Sequence, residues 1–446
     1  MPDFIKVPPR ADHFWETMAK SGYTLDLALS ELIDNAISAQ ANKITILKKW
    51  KGADSMMGIL DNGKGMNYEE LVHAMTPMLR DPNDPRGEND LGRYSLGLKS
   101  GSMSQATQFY VWTKKGSEIN GICQDQKVIK AQGEFVIERN PQIPIGVEKW
   151  FHELVKQESG TLVVWCSLRE YTKNKEDDED AKKNFMKKTA AAEERLGMIF
   201  HRYLDDHRIN FTTITGGEPI KSWNPFSFST SRYAHKEPQV DISIGRGRPI
   251  NLQCYLIPDL SKLSEDDKKQ ASGPLGNMID AQGIYLYRNE RLLIGGGWFG
   301  LAGWYKEPKY QLARIRIDLP NTEDSDWNLD FKKGKAEIPN KYIDEIMKHC
   351  NSCRKMAAER YHTNKSRGPR THKNIERMWI DDSEDEQIVR YKINKKNKTV
   401  KGLVGQLLSP QYEEALSLLI EISKEFPYDE YEERLHEIWI SKYEKQ

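Results

Sequence analysis

The fold is decided by the segment TLDLALSELIDNAI, which runs from Thr24 to Ile37. Its apolar residues recur at helical spacing, which predicts an amphipathic helix with one face in a core. Thr24 is a favourable N-cap residue, and Asp26 places a carboxylate in the first turn, where the helix dipole favours negative charge. Glu31 and Asn35 lie one turn apart at the edge of the apolar face. Alone, this pair is typical of an ordinary helix surface; at a binding site it would place a base beside a metal ligand.

Further motifs follow downstream of this helix. They are ILDNGKGM at residues 59–66, LGRYSLGLKS at residues 91–100 and a Gly-Thr pair at residues 160–161. The Asn-Gly step in the first of them is a strong hairpin signal. However, Asn67 and Glu70 have the spacing of a helix capping box, which predicts a strand, a turn and then a helix. That order leaves Asp61 at the end of a strand, facing a cleft.

These motifs, in this order and at these spacings, resemble the ATP site of the GHKL superfamily. That superfamily contains DNA gyrase B subunits, MutL mismatch-repair proteins, heat-shock chaperones of the ninety-kilodalton class and histidine kinases. Within it, Gly22-Tyr23-Thr24 and the segment GLKSGSMS at residues 97–104 are most similar to MORC-type ATPases and their bacterial relatives. The resemblance covers most of residues 10–345 and implies an α+β protein in three parts. They are a Bergerat-type ATP-binding α/β sandwich at residues 1–207, a transducer-like α/β domain at 208–345 and a helical, partly charged C-terminal region at 346–446.

The resemblance also implies a role for each motif residue in binding and hydrolysing ATP with Mg²⁺. Glu31 would act as the general base on the attacking water, and Asn35 would coordinate magnesium through its side-chain oxygen. Asp61 would accept the adenine amino group, and Thr161 would support it. The other residues implied to bind nucleotide are Gly63, Gly65, Met66, Gly92, Gly97, Leu98, Lys99 and Ser100.

A lysine from the second domain is implied to complete the site. The segment WNLDFKKGK at residues 327–335 falls where the family delivers a lysine to the terminal phosphate, and it offers Lys333, Lys332 and Lys335. Such a contact would couple the nucleotide state to the angle between the domains. Residues 76–92 carry three prolines and two glycines in a polar stretch, so they predict a long loop. Its place before the third motif favours a lid.

Short runs rich in apolar and β-branched residues predict the strands of both domains. In the first domain they lie at residues 43–47, 56–60, 108–113, 133–137 and 160–165, with a closing helix at residues 190–204. In the second domain they lie at residues 209–211, 240–244, 252–257, 283–288 and 312–318. The segment GIYLYRNERLL at residues 283–293 carries the likeness to a transducer domain.

Composition limits the remaining functions. Lys+Arg and Asp+Glu both number 66, so any nucleic-acid contact would need a local patch. Basic clusters at residues 354–373 and 392–401 suit either such a patch or ordinary solvated surfaces. No apolar run approaches the ~20 residues that span a bilayer, and no signal peptide is evident, so we expect a cytoplasmic protein without a membrane partner. Cys350 and Cys353 form a lone C-x-x-C without a second ligand pair, which predicts thiols on a helix surface rather than a zinc site.

Three functional hypotheses remain. The first is an ATPase working as a nucleotide-dependent homodimeric clamp on DNA or on a DNA-bound partner. Bacterial relatives often accompany restriction or phage-defence genes, so a partner nuclease or another antiviral defence protein is a candidate partner. The second hypothesis is a chaperone-like ATPase acting on protein clients, which the sequence does not separate from the first. The third, a histidine-kinase-type protein kinase, is disfavoured because Glu31 supplies a water-activating base and no phospho-acceptor helix precedes the ATP site.

Overall fold

The structure is a computed structural model. It describes residues 10–77, 79, 97–213, 219–228, 231, 234–243, 249–320, 327, 337–367, 379–381 and 391–393. The chain divides into two compact units, Met1–Ser366 and Arg367–Gln446. In the described part of the first unit, two sheets are flanked by helices, so the predicted α+β class is confirmed.

The first sheet backs the motif-bearing helices. Its strands are β1 (Lys43–Lys49), β2 (Met56–Asp61), β3 (Ala106–Lys115), β4 (Glu118–Asp125), β5 (Glu138–Arg139), β6 (Ser159–Leu168) and β7 (Asn210–Thr213). Their spatial order is β5-β4-β3-β6-β2-β1-β7, with β1 and β7 parallel and the other neighbours antiparallel. In β6, Val163 and Trp165 enter one core while Leu162 and Val164 enter another. Both faces of the sheet are therefore buried, as the period-two alternation of a strand allows.

Helices cover the two faces unequally. The helices of this half are α1 (Ala11–Ala19), α2 (Leu25–Ser38), α3 (Tyr68–Met75), α4 (Gly97–Gln105), α5 (Gln126–Gln132), α6 (Glu148–Lys156), α7 (Glu179–Ile199) and α8 (His201–Asp205). Trp150 and Leu154 of α6 pack on one face of the sheet, and the other helices contribute to the core on the opposite face. The predicted capping box is confirmed at the start of α3, where the Asn67 side chain accepts from the Glu70 N–H and the Glu70 carboxylate from the Asn67 N–H.

The second sheet follows in the chain. Its strands are β8 (His235–Lys236), β9 (Val240–Ile242), β10 (Ile250–Leu256), β11 (Gly283–Arg288), β12 (Arg291–Gly295) and β13 (Ala313–Leu319), in the order β12-β11-β13-β10-β8 with β9 paired to β10. Helix α9 (Glu265–Ser272) lies between β10 and β11 in the chain, and α10 (Asn340–Arg367) packs its apolar residues into the core of this sheet. The second unit contributes the antiparallel pair β14 (Trp379–Asp381) and β15 (Tyr391–Ile393).

The corner between α7 and β7 joins the two sheets. The Tyr203 hydroxyl donates to the backbone oxygen of Asn289 at 2.7 Å, between β11 and β12. His201 Nε2 and Tyr287 Oη lie 2.8 Å apart in a second contact, which is buried. Arg202 of α8 pairs with Glu290 at 3.1 Å. Polar contacts therefore fix the β11–β12 hairpin against the first half of the chain.

Two strand predictions differ from the structure. Residues 133–137 do not form a strand, because Gly133 at φ 73° is the left-handed residue that ends α5, and pairing with β4 begins only at Glu138. The strand predicted at residues 209–211 is β7, which pairs with β1 and so extends the first sheet past the predicted boundary at residue 207. Sequence analysis also missed β4, β8 and β12, and it missed the strand pair β14–β15 within the region predicted to be helical. The other predicted strands are confirmed to within a few residues.

The predicted surface thiols are buried. Cys350 and Cys353 lie on α10, where neither is exposed, and Cys353 Sγ approaches the Tyr255 carbonyl oxygen at 3.7 Å. The surface-thiol prediction is wrong because helical spacing does not say which faces of a helix a distant sheet will cover. All five cysteines are free thiols. Among the described residues, no helix combines the length and apolar character needed to cross a bilayer.

Arg354 is also removed from the predicted basic surface. Its guanidinium carbon lies 4.0 Å from the ring centroid of Trp304, 4.0 Å from that of Tyr310 and 5.1 Å from that of Trp298. The three rings stabilise the guanidinium by cation–π attraction and bury the aliphatic stem of the arginine. Arg354 therefore holds α10 against the second sheet and does not contribute to a nucleic-acid surface.

Candidate active site

Helix α2 carries the first pair of candidate residues. Glu31 is buried, at 6% exposure, whereas Asn35 one turn later is exposed. Helix α4 runs antiparallel to α2 and begins opposite Glu31, since a Cβ on Gly97 would lie 2.1 Å from Glu31 Oε2. The first turn of a helix directs backbone N–H groups out of its N-terminal end, and these groups suit an anion. A carboxylate, a carboxamide and a helix N-terminus are thus brought to one place.

Asp61 stands at the end of β2. It lies directly opposite Thr161 of β6 in the antiparallel register, so the structure brings this predicted pair together. Asp61 Oδ1 accepts the Gly63 N–H at 2.8 Å. Burial raises the pKa of Asp61 to about 6, while hydrogen bonds from the Gly63 and Thr161 backbones oppose the rise. The result is a buried carboxyl, oriented by backbone donors, that can accept a hydrogen bond from a ligand.

Two glycines after β2 pack closely against other segments of the chain. A Cβ on Gly63 would lie 2.8 Å from Ala39 Cβ, and one on Gly65 would lie 1.9 Å from the Lys114 carbonyl oxygen. Gly65 also has φ 63°, which an L side chain rarely adopts. The close packing explains why glycine is required at these two positions of the second motif.

Thr113 of β3 links the second motif to the Gly-Thr pair. Its Oγ1 accepts the Met66 N–H at 2.8 Å and donates to the Gly160 carbonyl oxygen at 3.1 Å. Thr161 Oγ1 lies 3.3 Å from the same atom. Sequence analysis missed Thr113, because a threonine inside a strand carries no motif of its own.

Two side chains of the third motif point away from their predicted position. Lys99 is 1% exposed, and its Nζ donates to the carbonyl oxygens of Ala74 and Thr76 at 2.8 and 2.9 Å, at the C-terminal end of α3. Burial lowers the pKa of Lys99 to about 8. The Ser100 hydroxyl is buried and donates to Tyr23 Oη at 3.3 Å. The structure therefore does not support phosphate contacts by these two side chains, because the face of α4 that bears them turns into the core. Leu98 is half-buried in the first turn of α4.

Other predicted residues lie outside the described part of the chain. They are Gly92, Lys332, Lys333 and Lys335, together with residues 78 and 80–92 of the predicted lid. Among the described residues, no group of three His, Cys, Asp or Glu side chains could hold a metal ion. Mg²⁺ that is bound through nucleotide phosphates, waters and a single side-chain oxygen needs no such group. The exposed Asn35 carboxamide, one turn from Glu31, fits that kind of site.

The adjacent face of α2 is held by a residue of the second sheet. Arg291 opens β12, and its Nε lies 3.2 Å from Asp34 Oδ2, while its Nη2 donates to Ser30 Oγ at 3.0 Å. The Arg291 and Asp34 side chains are each 1% exposed. Sequence analysis gave these residues no role, although Arg291 belongs to the GIYLYRNERLL segment.

Comparison with known families agrees with this geometry. Residues 23–161 match the family described as histidine kinase-, DNA gyrase B- and HSP90-like ATPase. The match spans α2, the end of β2, α4 and the Asp61–Thr161 pair. This chain carries a GHKL-type ATPase domain. The α/β sandwich built on the first sheet is accordingly of the Bergerat type, as expected.

Part of the chain is also similar to MORC ATPases. It is 37% identical over 91 residues to ATPase MORC2B of Mus musculus, 30% over 106 residues to ATPase morc-1 of Caenorhabditis elegans and 34% over 91 residues to ATPase MORC2 of Homo sapiens. These alignments cover 20–24% of this chain and only 9–12% of the relatives. The MORC-like character of the GHKL-type ATPase domain is thereby confirmed.

A solved structure described as the N-terminal domain of a DNA repair protein is also similar. Its TM-score is 0.45 and its sequence identity 15%, over 80% of this chain and 99% of that one. A likeness at this level has no bearing on the function of the ATPase domain.

Proposed function

We propose that this chain hydrolyses ATP to ADP and phosphate with Mg²⁺. The observation that supports the proposal most directly is the place of Glu31, a buried carboxylate on α2 against the first residue of α4. Phosphate bound at the N-terminus of α4 would lie beside Glu31, within reach of a water that Glu31 polarises. A base that acts on water, rather than on a protein acceptor, favours hydrolysis over phosphotransfer.

The remaining roles follow from the chemistry of each group. Asp61 accepts the adenine amino group, and guanine would present a carbonyl to the same carboxylate, so Asp61 selects adenine. Asn35 offers a hard oxygen ligand to Mg²⁺. One of Lys332, Lys333 and Lys335 meets the charge that develops on the terminal phosphate.

We further propose that ATP closes two protomers into a clamp on DNA or on a DNA-bound partner, and that this serves antiviral defence alongside a partner nuclease. The resemblance to MORC- and MutL-type ATPases supports this step. A lysine reaching the phosphate from beyond the first sheet would make closure depend on nucleotide state.

The test uses the full-length protein with ATP labelled at the γ-phosphate. Hydrolysis predicts labelled inorganic phosphate and no labelled protein; label on the chain would identify a kinase instead, and no consumption of ATP would overturn the proposal. Sizing with a non-hydrolysable ATP analogue, with and without DNA, tests the clamp. Dimerisation that requires the analogue supports it, and a client protein that binds where DNA does not would favour the chaperone-like alternative.

A further inference from the structure

The Arg291 guanidinium bonds to two side chains of α2. Its Nε lies 3.3 and 3.2 Å from the two carboxylate oxygens of Asp34, and its Nη2 donates to Ser30 Oγ at 3.0 Å. Its Nη1 donates to the Leu292 carbonyl oxygen at 3.0 Å, which fixes the side chain on its own strand. The guanidinium carbon lies 5.9 Å from the ring centroid of Phe200. Each nitrogen therefore has a partner, and the ion pair is closed to water.

The residues that Arg291 contacts alternate with the proposed catalytic ones. Ser30 precedes Glu31, and Asp34 precedes Asn35, so each contact is one position from a site residue on the same two turns of α2. Neighbouring residues on a helix point about 100° apart because a turn holds 3.6 residues. One face of α2 thus meets the second sheet while the adjacent face meets the nucleotide site. A helical segment moves as a body, so a shift of Arg291 would turn Glu31.

We propose that Arg291 is a positioning residue for ATP hydrolysis, which orients Glu31 and Asn35 by holding α2 through Asp34 and Ser30. This inference rests on the proposed function. Through Arg291, the position of the second sheet would affect the orientation of Glu31 independently of the lysine segment at residues 327–335. A nucleotide-dependent movement of the β11–β12 hairpin would reach the attacking water through this ion pair.

Neighbouring ion pairs provide a control at the same junction of the two sheets. Arg202 pairs with Glu290 and with Asp318, and Arg208 also pairs with Glu290. These contacts join α8 and the residues after it to the second sheet. A change at Arg208 should therefore loosen the junction of the sheets without touching the helix that carries Glu31. Arg291 instead acts directly on that helix.

The test compares Arg291→Met with Arg208→Met in the full-length protein. A displacement of about 1 Å at a catalytic group can cost on the order of 100-fold, so Arg291→Met should lower kcat by about that factor. Its ATP dissociation constant should stay within about threefold of the parental value, because the Arg291 guanidinium bonds to Asp34, Ser30 and the Leu292 carbonyl oxygen rather than to a proposed nucleotide-binding residue. Amide exchange in α2 should accelerate in Arg291→Met and not in Arg208→Met. Arg291→Lys keeps the charge but lacks the planar guanidinium, so it should recover part of the kcat that Arg291→Met loses.

A double variant covers the case in which Arg291→Met fails to fold. Asp34→Leu with Arg291→Met replaces the buried pair by apolar side chains, which often restores stability. A folded double variant with kcat still reduced supports positioning; a parental kcat would show that the pair is only structural. Parental kcat or unchanged α2 exchange in Arg291→Met would likewise overturn the inference. A parental protein without turnover would instead remove the proposed function, while the exchange measurement still tests the hold on α2.

Discussion

Glu31 and Gly97 meet where α2 and α4 run past each other. A Cβ on Gly97 would lie 2.1 Å from Glu31 Oε2 and 3.0 Å from its carboxyl carbon. Glycine leaves room for the carboxylate, because a Cβ at residue 97 would displace it from its present position. This contact places a general base next to the end of a helix that favours phosphate.

Gly97→Ala should impair turnover more than folding. The added methyl must push the Glu31 carboxylate aside, and a shift of about 1 Å can cost on the order of 100-fold in kcat. Gly101→Ala is the control on the same helix, because its Cβ would come no closer than 3.3 Å to the Ala28 carbonyl oxygen. Steady-state ATPase assays and thermal unfolding measure both effects. Equal kcat in the two variants would show that the Glu31 position is not critical.

Adenine binding should weaken in acid through Asp61. Burial raises the pKa of Asp61 to about 6, so its charge is lost as the pH falls through that value rather than near the ordinary 3.8. A charged acceptor adds about 1 kcal/mol over a neutral one, or about fivefold in affinity. Asp61→Asn does not titrate and reports the pH dependence of the phosphates alone. The ratio of parental to Asp61→Asn affinity for ADP should fall from about pH 8 to about pH 5; a flat ratio would contradict the adenine contact.

The raised pKa of Asp61 also makes the stability of the folded protein depend on pH. Because the folded-state pKa of Asp61 is above 3.8, its contribution to the free energy of unfolding is fully present below pH 3.8 and is lost as the pH rises through about 6. Asp61→Asn should therefore gain stability relative to the parental protein above pH 6 when no nucleotide is present. Thermal unfolding on both sides of that pH measures the difference.

Lys99→Met separates a structural lysine from a phosphate ligand. Loss of Nζ leaves the Ala74 and Thr76 carbonyl oxygens without their donor, which costs about 1–3 kcal/mol of stability. ATP affinity should change little, because Nζ is directed at α3. Lys115→Met removes an exposed ion pair with Glu70 and should shift stability by less than about 0.5 kcal/mol. Unchanged stability with a large loss of ATP affinity would restore the predicted phosphate contact.

DNA binding by the basic clusters of the C-terminal region should depend on salt. The logarithm of the association constant for DNA should fall with the logarithm of the salt concentration, with a slope of about −0.9 for each phosphate contacted. Charge reversal of Lys395, Lys396 and Lys398 should flatten that slope, whereas reversal of Lys268 and Lys269 on α9 should not. Absence of binding at low salt, with or without ATP, would remove DNA as a direct client.

Local patterns predicted the elements that carry the candidate site, but they could not predict long-range packing. The spacing of α2, the capping box at Asn67 and the strand end at Asp61 are properties of a few consecutive residues, and the structure confirms each of them. The ion pair between Arg291 and Asp34 joins positions 257 residues apart, so no local pattern could indicate it.

Two cations lie elsewhere than the sequence indicated, and both differences have the same physical origin. Lys99 follows a glycine motif and was expected at phosphate, but the register of α4 turns it into the core. Arg354 belongs to a basic run, yet three aromatic rings from other segments enclose it. In each case the residue type was read correctly as a cation, while the side on which it lies was decided by elements far away in the chain.

The most direct test of the account is Glu31→Gln. ATP affinity should remain within about threefold while kcat falls by about 100- to 10,000-fold, because the change removes a general base and preserves its shape. Asp26 is another buried carboxylate on α2, and it faces Arg195. The control variant Asp26→Asn should keep parental turnover. Equilibrium binding of MgATP and single-turnover hydrolysis, measured on the same preparations, give both quantities. Hydrolysis by Glu31→Gln at the parental rate would contradict the assignment of the catalytic base.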